Sequence, residues 1–256
     1  GVILAGGEPY RVPLRRENDF LVSLDELPAE VLERAKLLYL NYPNNPTTAV
    51  APRSYLRRAV ELCHSFDLVL VNDLAYSELA FDGYRPPSIL EVEGAEEVAL
   101  EFHSFSKTFN MTGWRLGWAA GGADLVRILA RVKTFMDTGP FLVVQAAGAA
   151  ALDAYDEWVP GNVEQFRRRR DAVVEALRGE GFEVEAPKAT MYVWIPLPEG
   201  ETGEEFARRA LEEQGVVILP GSALGKGGEG FFRIALTQPE ERLREGAARL
   251  GRLVES

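Results

Sequence analysis

With 256 residues, 46% of them hydrophobic, and a formal charge of −11 from 28 basic and 39 acidic side chains, the chain can bury a sizeable core, in one large domain or two smaller ones, and is not a disordered polymer. The acidic balance makes a nucleic-acid backbone or an anionic membrane an unfavourable partner, so any anion site must be local. Cys63 is the one cysteine, which excludes a disulfide framework and a cysteine-based zinc site; no run approaches the ~18 apolar residues of a membrane span and no signal peptide is visible, so a soluble, cytoplasmic protein is expected.

Residues 1–7 are mostly small and lead into 8–14, whose prolines suit an edge strand; the charged stretch 15–19 reads as a loop. A helix is expected from Ser23, with Leu27, Val31 and Ala35 on one face, and then Leu37-Leu38-Tyr39-Leu40 as a buried strand that stops at an Asn/Pro cluster. An amphipathic helix over 53–66 follows, and its apolar face Leu56, Ala59, Val60 and Cys63 assigns the cysteine to core packing. Strands are expected at 68–71, ending at Asp73, at 98–102 and at 116–120. Strands alternating with helices imply an α/β fold, a mostly parallel sheet with helices on both faces and its ligand crevice beyond the carboxyl ends of the strands.

Two helices, over 123–135 and 142–155, precede Pro160-Gly161-Asn162, which reads as punctuation. Val163, Phe166, Val173, Val174 and Leu177 then lie at helical spacing, so a long helix is expected to lead from a large domain, 1–158, into a smaller α+β domain, 159–256. The basic run at 167–170 inside it reads as a solvated or acid-paired helix face. Strands at 182–185, 191–195, 216–218 and 231–236, with helices over 203–214 and from 239, complete the second domain. Residues 225–230 match G-x-G-x-x-G, but a strand follows rather than a helix, so a loop is the reading and not a dinucleotide site.

Only five of the 28 basic residues are lysines, and Lys107 alone stands in an apolar, hydroxyl-rich setting, Ser104-Phe105-Ser106-Lys107-Thr108-Phe109, in a strand-end loop. Desolvation favours the neutral form of an amine, which is the form that attacks an aldehyde. Asn45, Asp73 and Lys107 all fall at strand ends and therefore converge on one site. Pro46 pushes Asn45 toward an extended backbone. Arg115, between Trp114 and Leu116, and Arg233, between Phe232 and Ile234, are awkward to bury unless an anion meets them; a structural salt bridge is the alternative for Arg233. His64 and His103 receive no role, and His103 reads as a satisfied strand histidine.

Ser104-Phe105-Ser106-Lys107 with Gly113-Trp114-Arg115-Leu116-Gly117, Asn41-Tyr42-Pro43-Asn44-Asn45-Pro46-Thr47, and Asn72-Asp73-Leu74-Ala75-Tyr76 together resemble, in order and approximate separation, the signature segments of class I/II aminotransferases, in the branch containing diaminopimelate and aspartate aminotransferases. The resemblance runs over nearly the whole chain. It implies fold type I, the cofactor pyridoxal 5′-phosphate, a homodimer, and amino-group transfer between an amino acid and a 2-oxo acid. By the same resemblance Lys107 holds the cofactor as a Schiff base and moves the substrate proton, and Asp73 faces the ring nitrogen. Tyr76 and Asn45 share the phenolic oxygen, Ser104, Ser106 and Arg115 take the phosphate, and Arg233 clamps the substrate α-carboxylate, with Asn45 as a second substrate-binding residue. The alternatives are a β-eliminating C–S lyase on the same fold and a non-catalytic effector-binding module of a transcription regulator. Relatives of this kind carry more N-terminal chain, with a small-residue phosphate loop and a ring-stacking aromatic. Neither is found in 1–256, and if that were the whole protein, cofactor binding and transamination are expected to be weak.

Overall fold

A computed structural model describes residues 1–254. Strands β1 (Leu37–Leu40), β2 (Val69–Asp73), β3 (Ala99–Ser104) and β4 (Gly117–Gly121) form a sheet in the order β1-β2-β3-β4. The first two pairings are parallel and β3–β4 is antiparallel. Parallel neighbours need a long crossover, provided between β1 and β2 by helix α2 (Arg53–Phe66) and between β2 and β3 by residues 74–98, which end in the short helix α3 (Ala95–Val98). The excursion from β3 to β4 is shorter, holds only helix α4 (Phe105–Thr108) and one 3-10 turn, and folds straight back. Glycines at both ends of β4 permit that close return: a Cβ on Gly117 would lie 2.6 Å from the carbonyl oxygen of His103, and one on Gly121 2.2 Å from that of Ala99.

Helix α2 occupies the residues its periodicity predicts and buries Leu56, Ala59, Val60, Leu62 and Cys63 against Leu40, Leu70, Ile89 and Ala99. Burial pushes the Cys63 thiol up to about 12, which leaves it an unreactive core residue. Upstream the structure departs from expectation. Residues 8–14 form no strand, and the expected helix from Ser23 is split into a 3-10 turn at Leu24–Glu26 and helix α1 (Ala29–Arg34). Pro28 causes the split, because its ring excludes Leu27 from helical angles; Leu27 sits at ψ 128°. Among the described residues β1 stands at the end of the sheet order, with Leu37 46% and Tyr39 58% exposed, while Leu40 alone is fully enclosed.

Helices α5 (Ala123–Met136) and α6 (Leu142–Asp153) follow β4, then α7 (Tyr155–Gly179), which runs unbroken through Pro160 and past the expected boundary near 158. Pro160 does not punctuate the chain because it lies near the exposed start of the helix, where its missing N–H forfeits a single intrahelical bond. Strands β5 (Tyr192–Pro196), β6 (Leu219–Pro220) and β7 (Phe231–Ala235) form a second, antiparallel sheet in the order β5-β7-β6. Helices α7, α8 (Gly203–Gln214) and α9 (Glu240–Gly251) pack on it around Leu177, Val193, Phe206, Phe232 and Leu250. The segments expected as strands at 182–185 and 216–218 are not strands, although Phe182, Val184 and Ile218 are buried in this core. Tyr76, Leu79 and Phe81 belong to the same core, tied in by a bridge between Ala80 and Ala189 and by Phe81 N–H donating to Lys188 O at 2.9 Å. The basic run of α7 is acid-paired, Arg167 with Glu164 and Asp171 and Arg168 with Glu240; Arg170 is buried and reaches Asp82 at 2.6 Å.

Candidate active site

Because β1, β2 and β3 run parallel in register, Leu40 beside Asn72 and Asp73 beside Phe102, the segments that leave their carboxyl ends emerge on one edge of the sheet. Asn41 wires the first two together: its Nδ2 donates to Asp73 O at 2.8 Å and its Oδ1 accepts the Asn45 N–H at 3.0 Å. Asn44 Oδ1 accepts from the N–H and the hydroxyl of Thr47, closing the turn, and the Tyr42–Pro43 and Asn45–Pro46 bonds are cis. The outcome is an exposed Asn45 carboxamide held at the crevice.

Asp73 accepts the Ala75 N–H at 3.2 Å on Oδ1. Asp73 is exposed, yet the protein around it depletes its water enough to raise its pKa above the usual carboxylate value; the Ala75 N–H and the nearness of Lys107 and His103 oppose the rise. Tyr76, three residues on, is buried, and desolvation, then the neighbouring Tyr192 and Asp73, raise its phenol well above the ordinary value against the opposing charge of Arg233.

Lys107 lies not in a loop but in α4, a single helical turn whose start is capped by Ser104, its hydroxyl oxygen accepting the Ser106 N–H at 3.2 Å. Its Nζ is 5.9 Å from the centre of the Tyr76 ring. Ser106 is buried within the same turn. Arg115 stands in a left-handed conformation, φ 53°, with Nη1 donating to Thr112 O at 3.0 Å. Arg115 and Trp114 are both exposed, so the expectation that Arg115 is a buried charge in need of an anion does not hold; what the structure retains is an open guanidinium beside the Lys107 turn.

Arg233 comes from the other sheet, 188 residues from Asn45, and donates from Nη1 to Asn45 Oδ1 at 2.6 Å. Its guanidinium carbon lies 4.0 Å from the centre of the Tyr192 ring, and Tyr192 meets Tyr76 edge to face at 6.0 Å. Arg233 Nε is buried without a partner, and among the described residues no carboxylate lies within salt-bridge distance of Arg233. Asn45, Arg233, Tyr192, Tyr76 and Lys107 thus follow one another in a chain of side-chain contacts, with Asp73 joined to the Asn45 turn through Asn41. Sequence reasoning missed Tyr192. Its signal is visible only once β5 and β7 are paired, because the match of Trp194 with Arg233 and the period of two put Tyr192 on the face of Arg233.

His103 donates to Glu101, 2.9 Å from Nε2 to Oε1, and stacks on Trp118 at 3.8 Å, the satisfied strand histidine that was expected. Glu101 itself went unremarked in the sequence. It is 2% exposed and also accepts from Asn72 Nδ2, Ser88 Oγ and the Ile89 N–H.

Pyridoxal 5′-phosphate asks for an amine at its aldehyde, a carboxylate at its ring nitrogen, hydrogen-bond donors at its phenolic oxygen and hydroxyl or guanidinium donors at its phosphate. Lys107, Asp73, Tyr76, Asn45, Ser104 and Arg115 include a group of each of these kinds, and Arg233 Nε is a buried donor without a partner. The residues fit the group.

A family model described as aminotransferase class I and II matches residues 1–250. Among curated proteins, the LL-diaminopimelate aminotransferase of Desulforudis audaxviator is 52% identical over 250 residues, covering 98% of this chain and 64% of that protein. The protein of that name from Moorella thermoacetica is 50% identical over 254 residues, covering 99% and 65%. Among solved structures, a probable N-succinyldiaminopimelate aminotransferase from Thermus thermophilus superposes with a TM-score of 0.91 at 39% identity, covering 98% of this chain and 67% of that one. Apo-BacF from Bacillus subtilis superposes at 0.93 with 36% identity, covering 98% and 64%. The chain therefore spans 64–65% of the length of these curated relatives.

Proposed function

This chain belongs to the aminotransferase class I and II family, and from that membership we propose that it moves an amino group between an amino acid and a 2-oxo acid with pyridoxal 5′-phosphate as cofactor. The observation that carries the proposal is the chain of contacts Asn45–Arg233–Tyr192–Tyr76–Lys107, which has an amine at one end and, towards the other, a guanidinium with a buried unpartnered donor. When bound, the cofactor supplies an electron sink for the charge that develops at the substrate Cα.

In this reading Lys107 would hold the cofactor through Nζ and, as a free amine, would move the proton at the substrate Cα. Asp73 keeps a proton on the ring nitrogen. The Tyr76 hydroxyl and the Asn45 amide donate to the phenolic oxygen; Asn45 can do so because its Oδ1 is already occupied by Arg233 and its Nδ2 hydrogens remain. Ser104, Ser106 and Arg115 take the phosphate. Arg233, oriented by Asn45 and by the Tyr192 ring, offers its remaining N–H groups to the α-carboxylate as a fork.

The curated relatives carry the name LL-diaminopimelate aminotransferase, and on that ground we propose LL-diaminopimelate as the first donor to test. The complete protein, given this donor and a 2-oxo acid, should produce the amino acid that corresponds to the acceptor. Release of pyruvate and ammonia from a cysteine conjugate, with no amino acid formed, would turn the assignment to a C–S lyase. The division near residue 158 belongs to the same proposal, with 159–256 supplying Tyr192 and Arg233. So does association of two copies, supported by the apolar residues that α5 and α6 expose, among them Ile128, Phe135, Met136 and Leu142. Among the described residues no helix is long and apolar enough to cross a membrane, and a cytoplasmic setting is part of the proposal.

Arg233→Ala should lower kcat/KM for every α-amino acid donor by roughly 30- to 150-fold, the equivalent of about 2–3 kcal/mol for a charged hydrogen bond. Cofactor binding, titrated by absorbance, should hardly change. A variant that sheds the cofactor or unfolds would return Arg233 to a structural role.

A further inference from the structure

The four-residue helix that carries Lys107 has a complete account of its carbonyls, and half of it depends on a residue from another element. Phe105 O accepts the N–H groups of Phe109 at 3.1 Å and Met111 at 3.3 Å, and Ser106 O accepts the Thr112 hydroxyl at 3.1 Å. Lys107 O and Thr108 O lie at the end of the helix, where no further turn offers donors. Both accept from the side-chain amide of Asn162, 3.3 Å and 3.0 Å from Nδ2. The other end of that carboxamide is also engaged, since Asn162 Oδ1 accepts from Asn110 Nδ2 at 2.7 Å. Asn110, at φ 53°, is the left-handed residue that turns the chain away from the helix.

We propose that Asn162 is a positioning residue for Lys107, holding the backbone of its helical turn so that Nζ reaches both the cofactor and the substrate Cα; the inference rests on the aminotransferase reading above. One turn of helix is too short to hold itself, since nucleation fixes several dihedrals for a single bond. Asn162 supplies the missing constraint from α7, a long helix whose later residues Phe166, Val173, Val174 and Leu177 lie in the second core. Tyr155, on the same helix, packs edge-on against Phe109 at 6.2 Å, directly after the Lys107 turn. Through these contacts α7 joins the amine of the crevice to the sheet that carries Tyr192 and Arg233.

The test is made in the complete protein loaded with pyridoxal 5′-phosphate. Asn162→Leu removes both donors and the acceptor; Asn162→Asp is nearly isosteric, keeps the acceptor for Asn110 and replaces the donors by a charged oxygen that faces the two carbonyls, and melting curves of both variants identify a folding failure. Both should lower kcat by about 10- to 100-fold, the scale of an ångström-level misplacement, and leave the donor KM, set at Arg233, within about twofold. The pH midpoint of the cofactor's visible absorption should move by about half a unit or more, because the amine changes its surroundings. In the apoprotein, the amides of Phe109 and Met111, which close the turn, should exchange hydrogen faster by about tenfold or more. Unchanged kcat, pH midpoint and exchange in Asn162→Asp would overturn the proposal. Failure of the underlying reading looks different: Lys107→Ala would keep the visible band, whatever the Asn162 variants do.

Discussion

Replacing Lys107 by alanine is expected to abolish the visible absorption of the bound cofactor and to lower transamination by about 10²–10⁴-fold or more, the range assigned to a positioned general acid–base, with the loss of covalent attachment added to it. The fold should survive. Alanine is the best helix former, and the bonds that hold the turn come from backbone carbonyls and from Ser104, Thr112 and Asn162, none of which uses the lysine side chain. Among the described residues Lys107 has no carboxylate within salt-bridge distance, so its removal strands no buried charge. Absorbance titration, single-turnover kinetics and a melting curve separate the effects. A band that persists in the variant would move attachment to one of the four other lysines, at 36, 133, 188 and 226.

Glu101→Ala should destabilise the protein by about 3–5 kcal/mol, the scale of breaking a buried charged network from one side. Burial alone would raise the Glu101 pKa, but the hydrogen bonds of His103, Ile89, Ser88 and Asn72 outweigh it and hold the carboxyl below its usual range. The carboxylate is acceptor-only, so His103 Nε2 must be the donor at 2.9 Å. Removing Glu101 leaves the Ile89 N–H and the Asn72 amide unpaired in the interior and cuts a tie between β2, β3 and the 88–91 turn. A carboxyl whose folded pKa lies below its unfolded value stabilises the protein above the unfolded pKa, about 4.3, and that contribution is lost as pH falls through the folded pKa. Urea unfolding between pH 7 and pH 3 should therefore show a steeper acid loss in the parent than in Glu101→Gln, which carries no titrating group there. Parallel pH profiles would mean that this carboxylate contributes nothing charge-dependent.

Much of the fold is legible in the chain because it is local. The apolar face Leu56, Ala59, Val60 and Cys63 defines α2 to the residue, and the strands that end at Leu40, Asp73 and Ser104 are visible as apolar runs closed by polar ones. Asp73 ends β2, and Asn45 and Lys107 follow the ends of β1 and β3, so parallel pairing brings their segments to one edge of the sheet. Local signals also misled where a neighbour decides the outcome. Arg115, flanked by apolar residues, is exposed because its left-handed turn carries it out of the sheet. Pro160, a breaker in isolation, is tolerated near a helix start.

By itself the sequence determined the four strands of the first sheet to within a residue or two and the apolar face of α2, since these depend on periodicity and on neighbours a few positions away. Tertiary structure alone decided that Arg233 meets Asn45 across 188 residues, that Tyr192 lies under its guanidinium, and that Asn162 holds the carbonyls of Lys107 and Thr108. The physical reason is that an orphan donor or acceptor must find a partner somewhere, but which distant group supplies it depends on how two sheets and a long helix pack, and no local spacing encodes that packing.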